Sequence, residues 1–304
     1  MAFLIFTIVG PTGVGKTEIA LELAKQYDLD IISADSRQIY KYMDIGTAKP
    51  AFSNVCFHMI DIITPDILYS AADFAQDCKK IIQQLISRQR QFVLVGGSGL
   101  YLKALFEPLF KAPPRDLNIR KQLAQENLEK LYERLKQIDP ISAAKIQPKD
   151  RQRIIRALEI YEQTKTPLSV LKQLKSKSEY SPYYVGITMA RKKLYEKIDM
   201  RFDQMISDGL VEEVKRLLAL GYSEKDNAIK SIGYKEIVKY LNGEISLNQA
   251  IEMAKYRSHQ YAKRQITWFR KIPNIKWIEY STFDETFNRV KSEYENYLRL
   301  SKYH

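Results

Sequence analysis

The segment Gly10-Pro11-Thr12-Gly13-Val14-Gly15-Lys16-Thr17 constrains the fold of this chain more than any other. It follows an apolar run, Phe3 to Val9, and precedes Thr17 to Lys25, whose apolar residues recur at helical spacing. Strand, glycine loop and helix in that order form the context that gives the pattern G-x-x-x-x-G-K-S/T its meaning. The glycines let consecutive backbone N–H groups turn inward on an anion, at a helix N-terminus that already favours negative charge. Lys16 adds a cation, and the Thr17 hydroxyl is suited to hold Mg²⁺ beside the phosphates. The segment therefore predicts a site for a di- or triphosphate. It does not say whether phosphorus is transferred there or a diphosphate departs.

The loop opens an alternation of strand and helix. A short strand is expected at Asp30-Ile31-Ile32-Ser33-Ala34, a helix near 71–90, and a strand over Gln91 to Val95 that ends in Gly96-Gly97. This rhythm predicts a P-loop NTPase-like α/β fold, a parallel sheet with helices on both faces. Ligands of such sheets sit at the carboxyl ends of the strands, so the segments after Val9, Ala34 and Val95 should converge on one site. At Ala112-Pro113-Pro114-Arg115 the alternation breaks, and from 116 to 176 only helical periodicity remains. Asp150 is placed to cap a helix carrying Arg153 and Arg156 on one face. Strand character returns over Tyr183 to Thr188 and at Ile275 to Ile278. The expected organisation is the first part of the core over 1–112, an all-helical insertion over 113–180, and the rest of the core with basic C-terminal helices over 181–304.

Charge narrows the choice of partner. The 304 residues include 48 Lys and Arg against 36 Asp and Glu, a net charge of +12. Such a field is of little use to an enzyme of small metabolites and of much use to one that meets nucleic acid. From Ala254 to Lys276 there are seven basic residues and no acidic one: Lys255, Arg257, Lys263, Arg264, Arg270, Lys271 and Lys276. Tyr256, His259, Tyr261, Trp268 and Phe269 are interleaved with them, as an unpaired strand requires if bases are to stack while cations meet phosphate. A second cluster, Lys145, Lys149, Arg151, Arg153 and Arg156, stands against the single Asp150. The two cysteines, Cys56 and Cys78, form neither a disulfide framework nor a metal-type spacing. No stretch approaches the roughly 20 apolar residues of a membrane span. The N-terminal apolar run, lacking a basic leader and a cleavage site, is expected to be a core strand, and the chain to be cytoplasmic.

After the second strand lies Ser33-Ala34-Asp35-Ser36-Arg37-Gln38-Ile39-Tyr40. An aspartate there is open to three tasks: binding Mg²⁺ through water, deprotonating a substrate hydroxyl, or deprotonating another nucleophile. A plain capping or turn role is the alternative. Arg37 and Gln38 point toward recognition, because glutamine pairs with adenine in bidentate fashion. A small-molecule kinase and an RNA-binding NTPase switch share these features so far.

The sequence resembles the tRNA dimethylallyltransferases, or tRNA isopentenyltransferases, nearly end to end. The resemblance rests on Gly10 to Thr17, Ser33 to Tyr40, Met43-Asp-Ile-Gly-Thr-Ala-Lys-Pro50, His58-Met-Ile-Asp61 and Gly96-Gly-Ser-Gly-Leu-Tyr101. It continues through Gln152-Arg-Ile-Ile-Arg-Ala-Leu158, Ser231-Ile-Gly-Tyr234 and Lys263-Arg-Gln-Ile-Thr-Trp-Phe-Arg270. Ser98 stands where the family usually has threonine, which keeps the hydroxyl. The resemblance implies transfer of a dimethylallyl group from dimethylallyl diphosphate to N6 of the adenosine just 3′ of the anticodon, with Mg²⁺ as cofactor and a monomeric protein. It implies that Gly10, Pro11, Thr12, Gly13, Val14, Gly15, Lys16 and Thr17 hold the leaving diphosphate, with Thr17 on the metal. Asp35 would take the amine proton, and Arg201 would be a second cation on the diphosphate, with Lys215 as the alternative. The anticodon stem-loop would be met by Asp35, Ser36, Arg37, Gln38 and Tyr101, and by Gln152, Arg153, Ile154, Ile155 and Arg156, of which Ile154 and Ile155 are better suited to packing. Lys230, Tyr234, Lys235, Lys263, Arg264, Gln265, Thr267, Trp268 and Arg270 complete that set.

Overall fold

The computed structural model describes residues 2–50, 54–107, 113–173 and 178–301. The core begins with β1 (Phe3–Val9), the glycine loop and α1 (Lys16–Tyr27), then β2 (Asp30–Ser33) and the two-residue strand β3 (Phe57–His58). It continues with α2 (Ala71–Ser87), β4 (Phe92–Gly96) and α3 (Gly99–Phe106). The next five helices, α4 (Leu117–Gln125), α5 (Leu128–Ile138), α6 (Pro140–Ala143), α7 (Arg151–Thr164) and α8 (Leu168–Leu171), belong to a second compact unit, Glu107–Ser178. The first unit, Met1–Phe106 with Glu179–His304, resumes at β5 (Tyr180–Thr188). It then runs through α9 (Arg191–Ser207), α10 (Leu210–Ala219), α11 (Tyr234–Leu241), α12 (Leu247–Phe269), β6 (Lys276–Glu279) and α13 (Phe283–Ser301).

All strand pairs are parallel, in the order β3-β2-β4-β1-β5-β6. Period-two alternation divides β1 between two cores, because successive side chains leave a strand on opposite faces. Ile5 and Val9 join Ile32, Leu94, Phe74, Leu102 and Ile237 in one cluster. Phe6 and Ile8 join Ile31, Val93, Ile19, Leu23 and Val290 in the other. Strands buried on both faces read as continuous apolar runs, which is why the sequence showed them. The exception is β3, too short to leave a pattern; its register, Ile31 with Phe57 and Ile32 with His58, adds it outside β2.

Within the second unit, Leu131, Leu135, Ile154, Ile155 and Leu158 form a separate apolar core. Asp150 caps α7, its side chain accepting the Arg153 N–H at 3.2 Å. Glu159 is fully buried there and is neutralised by Arg120 at 3.1 Å and Arg156 at 2.9 Å.

One buried carboxylate sets the path of the chain after β2. Glu213 of α10 accepts the N–H groups of Asp44 and Ile45 at 2.8 Å each, that of Gly46 at 3.1 Å, and the Tyr234 hydroxyl at 2.6 Å. Burial first, and Glu213 second, hold the Tyr234 hydroxyl well above its ordinary pKa, so it remains a donor. Its ring leaves no room at Gly46, where a Cβ would lie 2.5 Å away. Four donors offset the desolvation of a carboxylate only 1% exposed. Removing it by Glu213→Ala should lower stability by about 3 kcal/mol or more. Urea unfolding should show a lower midpoint at unchanged slope, and Glu213→Gln, which keeps an acceptor oxygen, a smaller shift. An unchanged midpoint in the alanine variant would contradict the clamp.

Candidate active site

The carboxyl ends of β1, β2 and β4 open on a cleft of about 840 Å³, lined by Thr12, Gly13, Gly15 to Thr17, Asp35 to Gln38, and Gly96 and Gly97. Residues 46–50, α9, the 230–232 turn and α12 line the rest. The three segments expected to converge do so. Gly13 and Gly15, at φ of 81° and 97°, take the left-handed conformation that a side chain would strain, and Gly15 starts α1. Val14 is fully buried and pins the loop to the core.

Two cations meet at this loop. The Lys16 ammonium donates to the Pro11 carbonyl at 2.7 Å, and the Arg201 guanidinium, from α9, donates to the Thr12 hydroxyl at 2.6 Å. Among the described residues neither makes an ion pair. Burial lowers the pKa of Lys16 to about 8, with Asp35 opposing the fall and Arg201 adding to it. Burial also lowers that of Arg201, against Asp35 and Glu18. Asp35 thus acts electrostatically on both cations. Its Oδ1 accepts the N–H groups of Arg37 at 2.8 Å and Gln38 at 3.4 Å, so the turn role holds as well as a place in the cleft. Lys197 is a further cation here, its ammonium 4.2 Å from the Tyr280 ring centre. Nothing in the sequence singled it out. Lys215 lies outside the cleft lining, exposed on α10 and paired with Glu212 at 2.8 Å.

Several residues expected to face a nucleic acid are scaffold in this structure. Gln38 is buried; it accepts from the Ser33 hydroxyl at 2.9 Å and donates to the carbonyls of Thr47 and Ala48 at 3.3 and 3.1 Å, so its amide is not offered to a base. Gln265 is buried too, accepting the Thr12 N–H at 2.8 Å and donating to the Gly97 carbonyl at 3.0 Å. It ties the glycine loop to the end of β4. Tyr101 stacks on Phe74 with ring centres 4.3 Å apart, and Tyr234 is held by Glu213. Ile154 and Ile155 are core, and Arg156 is spent on Glu159 and the Pro113 carbonyl. For Gln265, Tyr101 and Tyr234 the partners are distant in sequence, which local pattern does not reveal; Gln38 and Arg156 are claimed by near neighbours such as Ser33 and Glu159, whose burial depends on the folded core.

Others remain accessible. Ser36 donates its N–H to the Ser98 hydroxyl at 3.0 Å, and Arg37 donates to the Asn227 carbonyl at 3.2 Å, both half-buried at the cleft. Lys230 is exposed at its rim and Lys235 half-buried on α11. Along α12, Lys263, Arg264, Thr267 and Trp268 are exposed, Arg264 lies over the Tyr261 ring at 5.7 Å, and Arg270 is exposed at the helix end. Tyr261 lines the cleft, its pKa pushed up to about 12 by burial and then by Asp35. Gln152 and Arg153 are exposed on α7 of the second unit.

A parallel sheet with a glycine loop and two cations at its carboxyl edge defines a P-loop-like α/β protein. A family model described as IPP transferase matches residues 38–272, and the chain belongs to that family. The "tRNA dimethylallyltransferase 2" of Geotalea daltonii is 45% identical over 299 residues, covering 95% of this chain and 92% of its own. The "tRNA dimethylallyltransferase" of Acetivibrio thermocellus is 44% identical over 298 residues, covering 95% of each. Among solved structures, the full-length tRNA isopentenylpyrophosphate transferase of Bacillus halodurans has a TM-score of 0.72 at 36% identity, over 99% of this chain and 100% of that one. A eukaryotic dimethylallyltransferase acting on tRNA reaches 0.78 at 27% identity, over 91% of this chain and 74% of that one.

The low pKa of Lys16 gives a pH dependence with a definite sign. The ligand-free protein gains stability as pH climbs from about 8 toward the ordinary lysine value of 10.5, because there the unfolded chain holds the proton and the folded one does not. Anion binding needs the charged form and so runs the other way. Relative to Lys16→Met, the affinity of the wild type for magnesium pyrophosphate should fall above pH 8, by up to about tenfold per unit, with proton uptake in calorimetry. A ratio that stays constant across this range would contradict the assignment.

Proposed function

We propose that this chain transfers a dimethylallyl group from dimethylallyl diphosphate to N6 of the adenosine 3′-adjacent to the anticodon, giving N6-dimethylallyladenosine in tRNA. The observation that carries the reading is the pair Lys16 and Arg201, two desolvated cations without an ion partner among the described residues, in one cleft with Asp35. Membership of the family and the high coverage of its named relatives support the substrate class.

In this chemistry a carbon–oxygen bond breaks and phosphorus is not attacked. The loop N–H groups, Lys16 and Arg201 meet negative charge that grows on the departing diphosphate, so they act most strongly in the transition state. The donor set at the loop, the Thr17 hydroxyl with phosphate oxygens and water, suits a hard cation, and Mg²⁺ held by Thr17 would supply further charge neutralisation. Adenine N6 is a weak nucleophile because its lone pair is delocalised into the ring. Asp35 takes the N6 proton as the carbon–nitrogen bond forms; its Oδ1 is engaged with the turn, which leaves Oδ2 for that work. The base must leave its loop stack to reach the cleft, at a cost of a few kcal/mol.

The anticodon stem-loop is met by the exposed face of α12, Lys263, Arg264, Thr267, Trp268 and Arg270, and by Lys230 at the cleft rim; taken by itself, the second unit offers Gln152 and Arg153, exposed on α7, as further RNA contacts. No helix among the described residues is long and apolar enough to cross a membrane. A cytoplasmic monomer completes the reading.

Incubation with an unmodified anticodon stem-loop, dimethylallyl diphosphate and Mg²⁺ should add one dimethylallyl group to the RNA by mass, and none when the target adenosine is replaced. In the same assay Asp35→Ala should lower turnover by roughly 10²- to 10⁴-fold while stem-loop binding is kept. Normal turnover in that variant would end the general-base role, and phosphorylation of the RNA instead would end the reading as a whole.

A further inference from the structure

We propose that Asp30, Cys56 and His58 form a site for a soft divalent cation of the zinc class, separate from the phosphate-binding cleft. His58 belongs to a segment that the sequence marks out, yet neither it, Asp30 nor Cys56 lines the cleft. The proposal therefore does not depend on the reading of the cleft.

The site is a product of the sheet's edge. Asp30 opens β2, Cys56 immediately precedes β3, and β3 pairs in parallel with β2 through Ile31 with Phe57 and Ile32 with His58. The Ile31 N–H donates to the Cys56 carbonyl at 2.9 Å, which fixes the cysteine beside the start of β2. His58 Nε2 lies 2.7 Å from Asp30 Oδ2 and 3.7 Å from Cys56 Sγ, and the three donor atoms lie within 4.8 Å of one another. Bonds of about 2.0–2.3 Å in a tetrahedral zinc site leave ligand atoms roughly 3.3–3.8 Å apart. Small side-chain rotations therefore suffice, and the exposed Cys56 gives access from solvent.

The surroundings complete the case. Arg90 donates to Asp30 Oδ1 at 2.7 Å, orienting the carboxylate so that Oδ2 faces His58, where a cation inserted between them would replace that hydrogen bond. Arg90 also pairs with Asp28 at 2.5 Å. With Asp28 and Asp30 ionised, Cys56 as thiolate and Arg90 protonated, the cluster carries two net negative charges, which one divalent cation neutralises. On binding, the Cys56 proton passes to solvent and the proton that His58 Nε2 shares with Asp30 moves through solvent to Nδ1, so that Nε2 donates a lone pair as the neutral ring and water takes the fourth position. A thiolate and an imidazole favour zinc or cobalt over magnesium. The bound cation would fasten the two-residue strand β3 to β2.

Cobalt reports this directly, because a thiolate ligand gives a charge-transfer band in the near ultraviolet and tetrahedral geometry gives visible bands. Cys78, the other cysteine, is fully buried in α2, so a thiolate band identifies Cys56. Reduced full-length protein, in a chelator-free buffer containing saturating Mg²⁺ to fill hard-cation positions, should be titrated with Co²⁺. The expected result is a thiolate band that Zn²⁺ bleaches, that is lost in Cys56→Ser, and whose cobalt affinity falls at least tenfold in His58→Gln. No band at millimolar cobalt, or a band unaltered in His58→Gln, would overturn the site.

Discussion

Two half-buried positive side chains beside one glycine loop impose the constraint on which the rest of this structure turns. Lys16 and Arg201 are both lowered in pKa by burial, and Arg201 adds to the fall at Lys16. Desolvating a charge costs several kcal/mol after relaxation, and Asp35 and Glu18 act on the pair only through space. A polyanion with oxygens for both cations and for the loop N–H groups relieves that cost. The cleft is therefore poised for its ligand and is held in that condition by the surrounding packing.

What holds it is a chain of buried polar contacts. Gln265 ties Thr12 to Gly97, Gln38 ties Ser33 to the carbonyls of Thr47 and Ala48, and Glu213 with Tyr234 ties the 44–46 turn to α10 and α11. Each is satisfied at both ends, so each specifies one arrangement and rejects its neighbours. Pre-set donors need no reorganisation when charge develops, which is the advantage a transferase with a diphosphate leaving group gains from rigidity.

The fold and the glycine loop at the edge of the cleft were legible because they are written locally. The apolar runs of β1, β2 and β4, the glycine pattern and the helical periodicity of α1 all lie within short windows. Asp150 as a helix cap was legible for the same reason. The scaffold was not. Glu213 meets Gly46 across 167 positions and Gln265 meets Thr12 across 253, and no local window records such pairs. Gln38, Tyr234 and Gln265 lie in stretches that the family resemblance implies meet RNA, and a resemblance between stretches does not say which side chain in each is turned inward. Arg156 was counted as a free cation until Glu159, buried three residues on, claimed it.

The basic face of α12 is the part of the charge excess that no internal partner absorbs in this way: Lys263, Arg264 and Arg270 are exposed and make no ion pair among the described residues. A long nucleic-acid acceptor and a small, charged leaving group place opposite demands on one cleft, and on the proposed reading the two sets of cations divide them. The central claim is that the loop holds a departing diphosphate and does not deliver phosphorus. Dimethylallyl diphosphate carrying oxygen-18 at the bridge between carbon and phosphorus tests it most directly. During transfer to a stem-loop, all of the label should leave with the released diphosphate. Label retained on a five-carbon alcohol, with phosphorus passed to water or to the RNA, would contradict the account.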